Sequence, residues 1–348
     1  MPRIRRGALA LLGPLDFVGL GAARFVYNRW MRAAVLAILL GACGGGSIDG
    51  TGRDGGGGSD AAAIDAPPPV PAGCITDVST GDHTYTCGGL QVDARIPARC
   101  QAPGCGLILV LHGDTGTGLL MDAHVKMRDL GQQYGYVVVA PTGPPWPYGG
   151  GGSTWYPSND ATLVDMVTQF ASVFRIDPKK IHVTGFSRGG FGTWRLLCDH
   201  ADLFASAAPA GAGYFSVPTC FENNRAPSRK IPFVFMMGRT DMSVGYTSMV
   251  NIRDAAIANY GATGPTVLDS DANYTHNRWT STDGAIIETF DHAYETVPDG
   301  PFASAKGHCI AGSTSDPYAP QYAIPCKLPN AFVWGEQVMQ FFIAHPLP

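Results

Sequence analysis

Residues 181–190 read Ile-His-Val-Thr-Gly-Phe-Ser-Arg-Gly-Gly. An apolar, β-branched run enters a G-x-S-x-G turn at Gly185, Ser187 and Gly189, and helix-forming sequence follows. The strand-turn-helix context matters more than the five-letter pattern. It calls for a turn so tight that glycine must stand where neighbouring backbone comes close, while Ser187 takes a strained φ/ψ and lifts its hydroxyl clear of the sheet. The helix behind the turn aims unpaired N–H groups at any negative charge that develops beside that hydroxyl. Ser187 is thus the expected nucleophile.

Strand and helix signals alternate outward from this turn. Residues 106–111 (GLILVL) and 136–140 (YVVVA) are short apolar runs bounded by Gly and Pro, as expected of strands buried on both faces. Residues 119–134 support one helix between them. Ala161, Leu163, Val164, Val167, Phe170, Ala171 and Phe174 recur at helical spacing, and Asp177-Pro178 ends that helix before the strand at 181–184. Further on the pattern predicts a helix over 190–200, a strand over 231–237, a helix near 246–260, a strand pair near 265–290 and a last helix over 331–344. Repeated βα units imply a mostly parallel sheet with helices on both faces. No internal repeat is visible, which excludes solenoids and propellers.

A serine hydroxyl needs a base to take its proton, and the base needs an acid to hold its tautomer. In chains built on this turn the order is Ser, acid, His. Gly238-Arg239-Thr240-Asp241 follows the strand at 231–237, which predicts Asp241 on the same sheet rim as Ser187, with Asp291 and Asp316 as distant alternatives. The order excludes His83, His112, His124, His182 and His200. His345 sits at the tail of the last helix, and His276 and His292 lie in or beside the strand pair. His308, in Lys306-Gly307-His308-Cys309, is therefore the expected base, with His292 behind it. Residues 109–114 (LVLHGD) end a strong strand, so the N–H groups of Arg188 and Asp114, with Gly113 permitting the bend, are the expected oxyanion hole. His112 is expected to hydrogen-bond within its own loop. The Gly-rich, aromatic stretch at 144–160 offers Trp146, Tyr148, Trp155 and Tyr156 either as a substrate-binding groove or as a capping loop without substrate contact.

Charge is divided along the chain. Residues 1–43 carry six Arg and one Asp, leaving 18 basic and 27 acidic residues for the rest, a net charge of −9 there. An acidic globular part without Lys/Arg runs gives nucleic acid no footprint. From Met31, which is a plausible true start, a basic residue precedes a ten-residue apolar stretch at 33–42, too short to span a bilayer and readable as an export signal. Leu40-Gly41-Ala42-Cys43 resembles a lipobox, which implies lipidation at Cys43 and a membrane anchor; an ordinary secretory signal is the alternative. Residues 44–73 are rich in Gly, Asp, Ala and Pro and read as a linker with nothing to bury. The catalytic domain is expected over 74–348. Setting Cys43 aside leaves eight cysteines with no CxxC pair, which points to disulfides in an oxidising compartment rather than to a metal. Short loop closure suggests Cys100 with Cys105 and Cys309 with Cys326. No cofactor is expected.

The ordered set LVLHG, WY, RIDPKKIHVTGFSRGG, GRTD, GHC and WGEQVMQFF, over about residues 100–345, resembles the secreted polyhydroxybutyrate depolymerase-like and feruloyl esterase branch of the α/β-hydrolases. The resemblance implies the α/β-hydrolase fold, a Ser187–His308–Asp241 triad, and ester hydrolysis outside the cytoplasm, on feruloyl or acetyl polysaccharide esters or hydroxyalkanoates, some of them polymeric. Arg188 stands where many relatives carry Ala or Asn, and Ile310-Ala311 follows GHC where relatives show an aromatic residue or Pro. The same triad also serves acyltransferases and serine peptidases, and a surface binding protein can keep the fold without the activity.

Overall fold

The computed structural model describes residues 67–147, 152–214, 219–297, 305–314 and 325–348. The expected export segment with Cys43, most of the linker, Tyr148 and Asp316 lie outside them. All described residues fall in the unit Gly58–Pro348.

Among the described residues, ten strands form one sheet. They are β1 (Gly81–Cys87), β2 (Leu90–Ile96), β3 (Gly106–Leu111), β4 (Tyr136–Pro141), β5 (Ile181–Phe186), β6 (Ser206–Ala210), β7 (Phe233–Gly238), β8 (Thr263–Ser270), β9 (Tyr274–Thr280) and β10 (Ile286–His292). Their spatial order is β1-β2-β4-β3-β5-β6-β7-β10-β9-β8. The run from β4 through β3, β5, β6 and β7 to β10 is parallel, and antiparallel strands extend it at both ends. Every residue of β3, β4, β5, β6 and β7 is buried. Two helical layers explain why these runs are apolar on both faces.

Helices α3 (Asp160–Val173), α4 (Arg188–Asp199) and α5 (Tyr246–Tyr260) cover one face, where Phe170, Trp194 and Ile252 pack against Leu109, Val183 and Phe235. Helices α1 (Gly118–Val125), α2 (Met127–Tyr134) and α6 (Trp334–Ala344) cover the other, with Met121, Met127 and Phe342 against Val110, Val138 and Val234. Burial of each such side chain contributes about 1.5–3 kcal/mol before entropy is counted. Arg195 of α4 is 2% exposed and grips Asp160 of α3 through two hydrogen bonds of 2.7 and 2.8 Å. This pair joins two helices of one layer.

Two expectations need correction. The single helix over 119–134 is two, α1 and α2, because Lys126 takes a left-handed conformation at φ 54°. Asp122 serves both pieces, its backbone carbonyl closing α1 and its carboxylate accepting the Arg128 N–H at 2.7 Å. The strand pair over 265–290 is three strands, separated by the Asp271–Asn273 turn and the Ser281–Ala285 turn. Both β6 and the β1–β2 hairpin are additional. Cys74–Cys87, Cys100–Cys105, Cys198–Cys220 and Cys309–Cys326 are joined as disulfides, including both of the short closures expected from sequence.

Candidate active site

Strand β5 ends at Phe186 and α4 begins at Arg188, so Ser187 alone makes the turn. It does so at φ 54°, ψ −118°, a conformation that costs a non-glycine residue of order 1–3 kcal/mol and must be held by its surroundings. The restraints are local. The Ser187 N–H donates to the Ala210 carbonyl at 2.9 Å, and the Phe191 N–H donates to the Ser187 carbonyl at 3.0 Å. Glycines at 185 and 189 are obligatory: a Cβ on Gly189 would lie 2.1 Å from the Leu111 carbonyl oxygen, and one on Gly185 would lie 2.5 Å from the Gly189 backbone. Ser187 is half-buried.

Asp241 lies three residues beyond β7, in a turn where its N–H donates to the Gly238 carbonyl at 3.1 Å. One carboxylate oxygen accepts the N–H groups of Ser243 and Val244, each at 2.9 Å, and the other accepts from His308 Nδ1 at 2.6 Å. Burial works to raise the Asp241 pKa, but the His308 contact and the two amides outweigh it and hold the carboxyl below its ordinary value. A carboxylate can only accept, so Nδ1 carries the hydrogen and Nε2 is left as the basic atom. The His308 loop fits against the Asp241 turn through two glycines. Gly307, at φ 71°, would place a Cβ 2.5 Å from the Asp241 nitrogen, and Gly238 would place one 2.1 Å from the Gly307 oxygen. The imidazole leans against Phe186, the residue before Ser187, with 4.7 Å between ring centres and a 37° tilt. A Cβ on Gly211 would lie 3.2 Å from its Cε1. Ser187, Asp241 and His308 therefore collect at the carboxyl end of the parallel strands, where this sheet class holds its ligands.

The other sequence candidates go elsewhere. Asp291, the penultimate residue of β10, pairs with Met237, receives the Tyr246 hydroxyl at 3.3 Å and lies 3.6 Å from Arg253; burial raises its pKa despite that cation. His292 is buried, and desolvation lowers its pKa to about 4. His276 pairs with Glu288 at 2.8 Å, and His345 bonds the Phe341 carbonyl at 2.8 Å. His292, Cys309 and Cys326 come close enough to suggest a metal site among the described residues, but both sulfurs are in one disulfide.

Strand β3 delivers His112, Gly113 and Asp114 to the same edge. His112 is buried, with Nδ1–H donating to the Gly113 carbonyl at 2.6 Å and Nε2 accepting the Gly143 N–H at 2.9 Å. Burial lowers its pKa to about 4, in keeping with a neutral ring that shapes the loop. A Cβ on Gly113 would sit 3.4 Å from the Ser187 Cβ. Among the described residues, the amide N–H groups of Asp114 and Arg188 have no acceptor.

Trp155 does not line an open groove. It is 1% exposed, its indole N–H donates to the His112 carbonyl at 3.1 Å, and its ring leans on the His112 ring at 4.9 Å. The indole N–H finds its partner inside, so the residue braces the loop from within. Tyr156 is 38% exposed, and Trp146 is half-buried with its N–H donating to the Gly152 carbonyl at 2.9 Å. Sequence reasoning missed that the Arg188 and Asp114 side chains meet, at 3.1 Å. The signal available was two opposite charges on the two segments expected to supply the oxyanion hole.

No protein-family model matches the chain. Acetylxylan esterase A of Aspergillus ficuum is 34% identical over 128 residues, covering 33% of this chain and 39% of that protein. Poly(3-hydroxyalkanoate) depolymerase C of Paucimonas lemoignei is 29% identical over 140 residues, covering 38% and 33%. Poly(3-hydroxybutyrate) depolymerase of Ralstonia pickettii is 32% identical over 114 residues, covering 28% and 23%. In each case the match spans well under half of the relative's length. An acetyl xylan esterase structure from Aspergillus awamori has a TM-score of 0.48 and 19% identity, covering 61% of this chain and 92% of that one. Given its strand order, the strained serine turn between β5 and α4, and these sequence relatives, the chain has an α/β-hydrolase fold and is similar to esterases of that superfamily.

Proposed function

We propose that this chain is an exported carboxylic ester hydrolase that works through Ser187, His308 and Asp241. The observation that carries the reading is the buried 2.6 Å contact between His308 Nδ1 and Asp241 on the same sheet edge as a serine held at φ 54°. In the reaction, His308 Nε2 takes the Ser187 hydroxyl proton as the oxygen attacks the ester carbonyl. The N–H groups of Arg188 and Asp114, the latter freed by the bend at Gly113, hold the oxyanion of the tetrahedral intermediate. Its collapse passes the proton from His308 to the departing alcohol, and water then repeats the sequence on the acyl-enzyme to release the acid.

Substrate is inferred from the relatives' names. Acetylated xylan carries its esters as side groups and poly(3-hydroxyalkanoates) carry theirs in the main chain, and an ester bond in an insoluble polymer suits an enzyme that acts outside the cell. Four disulfides support export. The lipobox-like LGAC at 40–43 supports a lipid anchor at Cys43, and the Gly/Asp/Pro-rich segment at 44–73 a tether to the domain at 74–348.

The test is Ser187→Ala. The variant is expected to lose about 10⁴-fold or more in kcat on a p-nitrophenyl ester and to lose labelling by a fluorophosphonate probe. Turnover near the parent's level would remove Ser187 from the chemistry. Hydrolysis rates on acetyl-xylan, feruloyl and short hydroxyalkanoate esters then rank the substrates.

A further inference from the structure

Arg188 contributes more than a backbone amide. Its Nε lies 3.1 and 3.2 Å from the two carboxylate oxygens of Asp114. The same Asp114 oxygen that lies nearer Arg188 also accepts the Thr154 hydroxyl. Thr154 in turn is fixed by its N–H to the Pro144 carbonyl at 2.9 Å. One residue further on, the Thr115 N–H donates to the Ser153 carbonyl at 2.6 Å, and Thr115 itself stands at φ 64°. Three segments therefore meet at one carboxylate: the loop after β3, the start of α4 and residues 152–155.

The pair is too open to be there for global stability. The Arg188 side chain is 19% exposed and that of Asp114 is 32% exposed, and ion pairs in such settings contribute about 0–1 kcal/mol. Its position is what distinguishes it. It ties together the side chains of the two residues whose amides are the proposed oxyanion donors, and the loop it holds contains a non-glycine residue at positive φ that has no regular secondary structure to stabilise it. An anion-binding role for Arg188 fits less well, because Asp114 already offsets the guanidinium charge.

Building on the ester-hydrolase reading, we infer that the Arg188–Asp114 ion pair is a positioning clamp that keeps the two oxyanion donors in register, so that its removal weakens the transition state and leaves substrate binding alone. Displacement of reacting groups by about 1 Å costs about 10²-fold, and loss of one oxyanion donor about 10²–10³-fold. Arg188→Met keeps the stem and removes the charge. It is expected to lower kcat on a p-nitrophenyl ester about 10–100-fold with KM within about 3-fold of the parent, and to weaken an alkyl boronic acid, which mimics the tetrahedral adduct, by a similar factor. Asp114→Ala, which also releases the Thr154 hydroxyl, should lose at least as much, and the double variant should be no worse than Asp114→Ala, since adding Arg188→Met then removes no further contact in the clamp. Hydrogen exchange at the 113–116 amides should quicken in Arg188→Met.

An effect on KM alone, confined to esters bearing a carboxylate, would make the guanidinium a substrate contact and overturn the clamp. So would additive losses in the double variant, or unchanged exchange at 113–116. The underlying reading fails separately: a parent chain that neither hydrolyses esters nor reacts with a fluorophosphonate is no ester hydrolase, and the exchange measurement then decides the clamp by itself.

Discussion

Asp241→Asn changes one atom and should nearly abolish turnover. The carboxylate accepts three donors, two amides at 2.9 Å and His308 Nδ1–H at 2.6 Å. An asparagine can keep the two amides on its single oxygen, and then it must turn an NH₂ group toward His308. Facing a donor, the imidazole adopts the other tautomer, with Nδ1 accepting and the hydrogen on Nε2. The atom that should take the Ser187 proton is thereby occupied. The expected loss in kcat is about 10⁴-fold, equal to about 5.5 kcal/mol of transition-state stabilisation. Because the side chain keeps its volume and both backbone contacts, the thermal midpoint should move by no more than about 2–4 °C. The assay is kcat and kcat/KM on p-nitrophenyl acetate beside a melting curve. Asp291→Asn is the paired control, since Asp291 faces Tyr246 and Arg253, and it should retain activity within about 3-fold. A loss under 10-fold in Asp241→Asn, or a larger one in Asp291→Asn, would refute the assignment of the acid.

Two further outcomes follow from the core. Burial lowers the pKa of His112, His124 and His292 to about 4 and that of His182 to about 3, so the unfolded chain binds these protons first as pH falls. Stability is therefore lost on acidification from about pH 7 toward 4, by about 1–2 kcal/mol per histidine between pH 7 and 5, and urea midpoints measured across that range should fall; constant midpoints would contradict the burial argument. Asp160→Ala leaves the Arg195 guanidinium buried without its carboxylate and should cost about 3–5 kcal/mol in urea denaturation, whereas a cost under 1 kcal/mol would mean that the α3–α4 pair is solvated.

Wherever one element carried one strong period, the fold was legible in the sequence. The runs at 106–111 and 136–140 became β3 and β4, and the helix near 246–260 became α5, because continuous burial or a regular stripe leaves few alternatives. Strand β6 gave no such signal. Its residues, SAAPA, are small because α4 presses against it: a Cβ on Gly190 would lie 2.6 Å from the Ala210 oxygen. The packing that defines the strand also removes the β-branched residues that would announce it. The β1–β2 hairpin carries a local signal, the pair Gly88-Gly89, both at positive φ, in a two-residue turn. At the site, chain order picked out Asp241 and His308 because the motif limits the order of its partners. The burial of Trp155 and the meeting of Arg188 with Asp114 depend on how three loops fold over one another, and no local period encodes that.

The Cys309–Cys326 disulfide begins one residue after His308. Around it, Ile310 bridges Pro325 and Thr296 bridges Cys326, and the Lys327 N–H donates to the Glu295 carbonyl at 2.7 Å. Residues 309–310 and 325–327 are thus joined to each other and to 295–296 immediately beside the imidazole. An anchor so close to His308 fixes the backbone from which the imidazole reaches Asp241, so the ring rests on a frame tied covalently to a distant part of the chain.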